Sequence, residues 1–297
     1  MSAIAFQHLT KEFGPVLALD DLTVDVPAGR ITAFLGANGS GKTTSMRVLL
    51  GLSRPTTGTA TIAGQAYASL PHPMRTVGAV LDQGFHPNRT ARHHLQIVAA
   101  QAQVPRSRVD DTLGLVDLAA AADRRVGGFS LGMRQRLALA SALIGDPSIL
   151  VLDEPLNGLD PDGIQTMRSF LRQFADNGGT VFLSSHLLAE VAHTVDDAII
   201  IHRGHLVTSG PVSQLLQSDP SVVVTTPAAD LLAVTLANRG VAVTRTGPEQ
   251  LTISSASREV IGRAALDAGA VILDMRGEGD DLETIFHTLT HSQETAS

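Results

Sequence analysis

Apolar residues in the first third of the chain come in short runs separated by turn residues. Ala3 to Leu9, Leu22 to Val26, Ile31 to Leu35 and Thr59 to Ile62 alternate or run apolar. Breaks such as Pro27-Ala28-Gly29 and Gly58 bound them, which predicts strands. Thr43 to Leu52 predicts a helix closed by Gly51 and Pro55. From about Arg89 to Ile144 the composition turns to Ala, Leu, Gln and Arg at helical spacing, which predicts an α-helical insertion. Strand and helix then alternate through strand Ile149 to Asp153, helix Gly163 to Asn177, strand Val181 to Ser184, helix Leu187 to Thr194 and strand Ala198 to His202. That alternation predicts an α/β unit, a parallel sheet flanked by helices.

Pro211 to Pro220 reads as a tether carrying one short helix. Beyond it the order is strand Val222 to Thr225, helix Ala228 to Asn238, strand Val241 to Arg245, strand Leu251 to Ser254, helix Ser257 to Ala268 and strand Val271 to Met275. The sequence β-α-β-β-α-β is that of a small ferredoxin-like α+β domain. A last helix is expected over Leu282 to Leu289, and a frayed tail from Ser292. The expected division is therefore 1–215 and 216–297, with the helical insertion at about 84–145.

A chain of 297 residues, 43% apolar, is long enough for one large domain and one small one. Its strongest apolar runs, such as Ile149-Leu150-Val151-Leu152, are strand-sized and too short to span a bilayer. The start, Met1 to His8, lacks the basic and apolar pattern of a signal peptide. With no cysteine, disulfides and thiolate metal sites are excluded, a composition compatible with the cytosol. A net charge of −7 argues against nucleic acid as a main partner. Lys11 and Lys42 are the two lysines, and arginine serves at every other basic position.

Lys42 stands in Gly36-Ala37-Asn38-Gly39-Ser40-Gly41-Lys42-Thr43-Thr44, directly after an apolar strand. This spacing fits a phosphate-binding loop. Gly36, Gly39 and Gly41 let successive N–H groups turn toward phosphate oxygens, and the following helix adds its positive end. Lys42 supplies a point charge and Thr43 a hydroxyl for Mg²⁺. Taken alone, the segment could also be a Gly-rich turn. Downstream, Ile149-Leu150-Val151-Leu152 delivers Asp153 and Glu154 at a strand end. Asp153 there can hold Mg²⁺ through water, and Glu154 can orient and deprotonate an attacking water. Solvated acids on a core strand would look the same in isolation.

Phe129-Ser130-Leu131-Gly132-Met133-Arg134-Gln135-Arg136, ahead of an Ala/Leu helix, resembles the signature sequence of ABC ATPases. Leu131 and Met133 stand where that family usually has Gly and Gln. Ser130 can cap the helix and, with the Gly132 amide, aim donors at an anion. Asn157-Gly158-Leu159-Asp160 is similar to the family's D-loop, Ser184-Ser185-His186 to its switch histidine, and Phe13 with Gly14 to the aromatic that stacks on adenine. The resemblance covers about residues 3–215 and points to the drug-exporter branch that handles daunorubicin and bacitracin. The closing segment Leu282 to Thr290 resembles that branch as well.

The resemblance implies an α/β P-loop ATPase using ATP and Mg²⁺, with the helical insertion and an antiparallel β subdomain formed by the first strands. Lys42, Glu154 and His186 would be catalytic. Phe13, residues Gly36 to Thr44, Asp82, Gln83, Ser130, Gly132, Asp153 and Asp160 would bind nucleotide, and Thr43, Asp82 and Asp153 would hold the metal. Asp82 stands where the family's Q-loop glutamine should be, with Gln83 next to it to share the coupling role. Two copies, identical or not, would sandwich two ATP molecules, with Ser130 and Gly132 of one copy covering the γ-phosphate on the other. A separate transmembrane permease would carry the cargo, a drug-like or lipid-like molecule, and keep this chain on the cytoplasmic face of the membrane. An importer ATPase, or a soluble ABC ATPase acting on ribosomes or DNA, is the alternative.

Overall fold

The computed structural model describes residues 2–81, 84–186, 194–215, 221–254 and 256–278. The chain divides into two compact units, Met1–Gly210 and Pro211–Ser297. In the first unit, β1 (Ser2–Phe13) and β2 (Val16–Pro27) form a long antiparallel hairpin. With β4 (Thr57–Ile62) they make a three-stranded sheet ordered β2-β1-β4. A six-stranded sheet ordered β5-β6-β7-β3-β8-β9 lies against it. It contains β3 (Ile31–Leu35), β5 (Val77–Val80), β6 (Ile149–Leu152), β7 (Thr180–Ser185), β8 (Asp197–His202) and β9 (His205–Pro211). Strands β5, β6, β7, β3 and β8 are parallel. All five residues of β3 and all four of β6 are buried, as expected for parallel strands covered on both faces.

Three fully buried phenylalanines join the two sheets. Phe34 on β3 lies 5.3 Å from Phe182 on β7 and 6.4 Å from Phe6 on β1, centroid to centroid. Burial of each such ring stabilises by about 1.5–3 kcal/mol. Helix α1 (Lys42–Leu49) follows β3, and the short α2 (Pro73–Thr76) precedes β5. The predicted insertion appears as α3 (Ala91–Gln101), α4 (Ser107–Leu115) and α5 (Leu131–Leu143). Thr90 caps α3, which buries Ala91, Leu95 and Ala99 at a spacing of four. Helix α6 (Pro161–Asp176) links β6 to β7.

The second unit comprises α7 (Val212–Leu215), β10 (Ser221–Thr225), α8 (Ala229–Ala237), β11 (Ala242–Arg245), β12 (Gln250–Ser254), α9 (Arg258–Ala268) and β13 (Asp274–Glu278). From β10 onward this is the β-α-β-β-α-β order expected, closed into an antiparallel sheet β11-β12-β10-β13. Val222, Val224, Leu251 and Ile253 bury one face of it with Leu232 and Leu236 of α8 and Ile261 of α9.

Several sequence expectations shift. The strand expected over Val271 to Met275 begins three residues later, at Asp274. Gly269 ends α9 at φ 63, and Val271 and Leu273 remain 66% and 61% exposed. Cross-strand pairing starts only at Asp274 opposite Thr225, so that apolar run is a connection. Helix α1 stops at Leu49, before a turn in which Gly51 takes φ 69. Strand β9 and the continuous β1–β2 hairpin are additional to the elements that the sequence pattern predicts. The helices expected over Leu187 to Thr194 and Leu282 to Leu289 fall wholly or almost wholly outside the described residues, and so do Asp82 and Gln83. Among the described residues, no helix is long and apolar enough to cross a membrane.

Candidate nucleotide site

Residues 36–41 turn from β3 into α1. Ser40 N–H donates to the Ala37 carbonyl at 3.1 Å, and Gly41 takes φ 110, a conformation that disfavours any side chain. Space there is equally restrictive. A Cβ on Gly41 would stand 2.7 Å from the Ala18 carbonyl oxygen, and one on Gly36 would stand 2.7 Å from that of Ile201. The loop is therefore seated between β2 and β8. Ala37, Asn38 and Gly39 are exposed, as is Thr43 at the start of α1, while Thr44 is half-buried. The buried Ser40 hydroxyl has no hydrogen-bond partner among the described residues.

Lys42 is only 6% exposed, and its Nζ donates to the carbonyls of Gly36 at 2.7 Å and Ala37 at 3.3 Å. The same ammonium pairs with Glu154 Oε1 at 3.5 Å. Its charge is thus met inside the loop by two dipoles and one carboxylate. Such a buried cation, beside curled backbone and a helix start, is chemically matched to an anion.

Strands β6 and β7 bring the acids to this loop. Thr43 Oγ1 donates to Asp153 Oδ2 at 2.6 Å, and Ser184 Oγ donates to Asp153 Oδ1. Glu154 N–H donates back to Ser184 Oγ at 2.8 Å. Glu154 sits at φ 48, the left-handed region. In an extended strand, Asp153 and Glu154 would project to opposite faces. The left-handed turn lets neighbouring carboxylates meet the neighbouring residues Thr43 and Lys42. His186, at the end of β7, places Nδ1 2.8 Å from Glu154 Oε2. Both oxygens of Glu154 therefore face a nitrogen, one on Lys42 and one on His186.

A second group forms elsewhere in the same unit. Ser130 caps α5 by accepting from Met133 N–H at 3.2 Å, and Asp160 caps α6 by accepting from Gly163 N–H at 3.0 Å. Gln135 Nε2 donates to the Asn157 carbonyl at 3.2 Å, tying α5 to the Asn157–Asp160 loop. Ser130, Gly132, Leu159 and Asp160 share the lining of a cavity of about 540 Å³. Phe13 stands at the end of β1, 52% exposed, with Lys11 Nζ 4.5 Å from its ring centroid.

The structure thus joins the phosphate loop, Asp153, Glu154 and His186 in one cluster, and groups Ser130, Gly132 and Asp160 in another. Sequence reasoning missed Ser184 as the hydroxyl that bridges both acids. Its place at a strand end, two residues before His186, was the available signal. Among the described residues no three His, Asp or Glu side chains converge as a metal site. The two oxygens of Thr43 and Asp153 fit Mg²⁺ chemistry, which takes few protein ligands and completes its shell with water and phosphate.

Residues 19–157 match the family model described as ABC transporter, and residues 220–283 match one described as a domain of unknown function (DUF8746). The bacitracin transport ATP-binding protein BcrA of Enterococcus faecalis is 40% identical over 216 residues, covering 71% of this chain and 70% of that protein. The lantibiotic transport ATP-binding protein SrtF of Streptococcus pyogenes is 35% identical over 205 residues, 69% of this chain and 89% of that one. Among solved structures, an ATP-binding subunit of an ABC transporter matches with a TM-score of 0.66 at 24% identity. That match covers 72% of this chain and 92% of the other, a likeness of fold.

Proposed function

The chain belongs to the ATP-binding proteins of ABC transporters, and from that premise we propose that it hydrolyses ATP to drive a membrane exporter. One observation carries the catalytic part: Lys42, Thr43, Asp153, Glu154, Ser184 and His186 converge at a single loop. The export reading is supported by relatives named for bacitracin and lantibiotic transport, and they do not favour the importer reading or the ribosome- or DNA-directed one.

Each residue has a task that its surroundings explain. Residues Gly36 to Thr44 cradle the phosphates with backbone N–H groups, and Lys42 exchanges its carbonyl contacts for phosphate oxygens. Thr43 and Asp153 would hold Mg²⁺, with Asp82 as a further candidate ligand and Gln83 beside it. When bound there, Mg²⁺ would supply positive charge against the negative charge that grows on the phosphate oxygens. Glu154, once Lys42 has turned to phosphate, takes the proton of the attacking water through Oε1. His186 keeps Glu154 oriented through Nδ1 and fixes the γ-phosphate. Phe13 stacks on the adenine. Ser130 and Gly132 of a second copy cover the γ-phosphate, and Asp160 links the two sites.

Among the described residues no helix is long and apolar enough to cross a membrane, and we assign the cargo path to a separate permease. The protein would sit peripherally on the cytoplasmic face, as a homodimer or with a related ATPase. We read the cargo as a drug-like or lipid-like molecule, and the relatives named for bacitracin and lantibiotic transport support the drug-like half of that reading. The test is affinity purification of the tagged full chain from detergent-solubilised cells in ATP. A multi-span membrane protein should copurify in stoichiometric amount, and its deletion should abolish resistance to or export of its cargo. Copurification of ribosomes or nucleic acid without a membrane protein would overturn the export reading and leave the ATPase assignment standing.

A further inference from the structure

Beyond the phosphate loop, the chain's other lysine lies at the proposed base-binding end of the same site. We propose that Lys11 is a positioning residue of that subsite. It holds the Phe13 ring by a cation–π contact on one face, leaving the opposite face to stack on a purine. The proposal rests on the reading of Phe13 as the base platform.

Three observations carry it. Lys11 Nζ lies 4.5 Å from the Phe13 ring centroid, well inside cation–π range. The two residues are two apart on β1, so they project from the same side of the strand. Finally, the register of the hairpin is broken at this point. Lys11 pairs with Leu19 and Glu12 with Leu17, so Ala18 is an extra residue on β2, a β-bulge. The carbonyl of that bulged residue is the atom that would meet a Cβ on Gly41 at 2.7 Å, and one on Gly204 at 3.0 Å. Gly204 N–H in turn donates to the Ser40 carbonyl at 3.0 Å. The bulge therefore packs closely on the phosphate loop, and Gly204, which also accepts from Asp20 N–H at 3.1 Å, ties the hairpin to it, setting where the hairpin end with Phe13 stands.

An exposed ring on a hairpin end needs a brace if it is to present one face. Val16 and Leu17 across the hairpin are themselves 60% and 45% exposed and offer little packing. A cation over one face supplies that brace, and it also draws electron density toward itself. The opposite face is then better suited to an electron-rich purine. Arginine, used at every other basic position except Lys42, has the same capacity for this contact, so Lys11→Arg is the conservative control.

The experiment measures affinity of the full chain for ATP and for inorganic tripolyphosphate, which has phosphates and no base. Lys11→Met, Lys11→Arg, Phe13→Ala and the Lys11→Met/Phe13→Ala double variant are compared by calorimetric titration. Lys11→Met should weaken ATP about two- to fivefold and leave tripolyphosphate unchanged. Lys11→Arg should restore ATP affinity, and the double variant should be no weaker than Phe13→Ala. Equal weakening of ATP and tripolyphosphate in Lys11→Met would show that Lys11 acts on phosphate and overturn the proposal. So would wild-type ATP affinity in Lys11→Met beside a weakened Phe13→Ala, or additive losses in the double variant. Unchanged ATP affinity in Phe13→Ala would instead remove the base-platform reading itself.

Discussion

Ser184→Ala removes one oxygen atom from the centre of the candidate site, and the structure says what that atom does. The hydroxyl donates to the Asp153 carboxylate and accepts the Glu154 N–H at 2.8 Å, in a position with no exposure to solvent. Alanine leaves the Glu154 N–H without this partner, a loss of about 1–3 kcal/mol, and deletes a donor to a carboxylate worth about 1.5–3 kcal/mol. The two losses share one atom and do not add in full, so about 2–4 kcal/mol is expected. For a unit of this size, at about 2–4 °C per kcal/mol, that lowers Tm by roughly 4–16 °C. The left-handed φ of 48 at Glu154, itself costing about 1–2 kcal/mol, is retained only while such bonds outweigh it. Once released, the backbone can relax toward extended geometry and carry the carboxylate away from Lys42. Hydrolysis by the folded variant, followed as phosphate release below its Tm, should fall about ten- to a hundredfold in kcat with KM nearly constant. A kcat within twofold of wild type, beside the lowered Tm, would refute the argument that Ser184 sets the position of Glu154.

Glu154→Gln keeps the side-chain shape and removes the basic oxygen, so ATP should still bind while kcat drops by about 10²–10⁴; rapid phosphate release by this variant would refute Glu154 as the base. Phe182→Ala should cost about 3–5 kcal/mol in urea denaturation, because the ring is fully buried between Phe6 and Phe34; a loss under about 1 kcal/mol would refute its role in joining the sheets. Burial, with the nearby Arg89 guanidinium, holds the His94 pKa below its ordinary value of 6.5. The folded state therefore prefers neutral His94, and the stability this contributes is present above pH 6.5 and lost as pH falls toward the folded pKa. His94→Gln should flatten the acid side of a Tm-against-pH curve, and an unchanged slope would contradict the assignment.

What could be read from the sequence follows from how local each signal is. The phosphate loop is written in glycine spacing over nine residues, because backbone curl and close approach exclude side chains at Gly36 and Gly41 wherever the rest of the chain lies. The acids at the end of β6 are equally legible, since a strand buried on both faces must be apolar until it reaches the site. What stayed hidden depends on partners distant in sequence. Ser184 reads as one more small strand residue until β7 lies beside β6 and brings its hydroxyl to Asp153 and Glu154, thirty residues away. The left-handed Glu154 is hidden for a related reason, since nothing in a Glu side chain favours that conformation and only its surroundings impose it. Strand β13 failed differently. The run Val271-Ile272-Leu273 contains two β-branched residues of strong strand propensity, yet pairing with β10 is available only from Asp274, and Val271 and Leu273 were left in solvent rather than the ladder being shifted. A shift of three residues would reverse which side chains of β13 face α8 and α9, removing Met275 from the core that it packs against. Register in the small domain is therefore decided by the buried face as a whole, a quantity that no single apolar run contains.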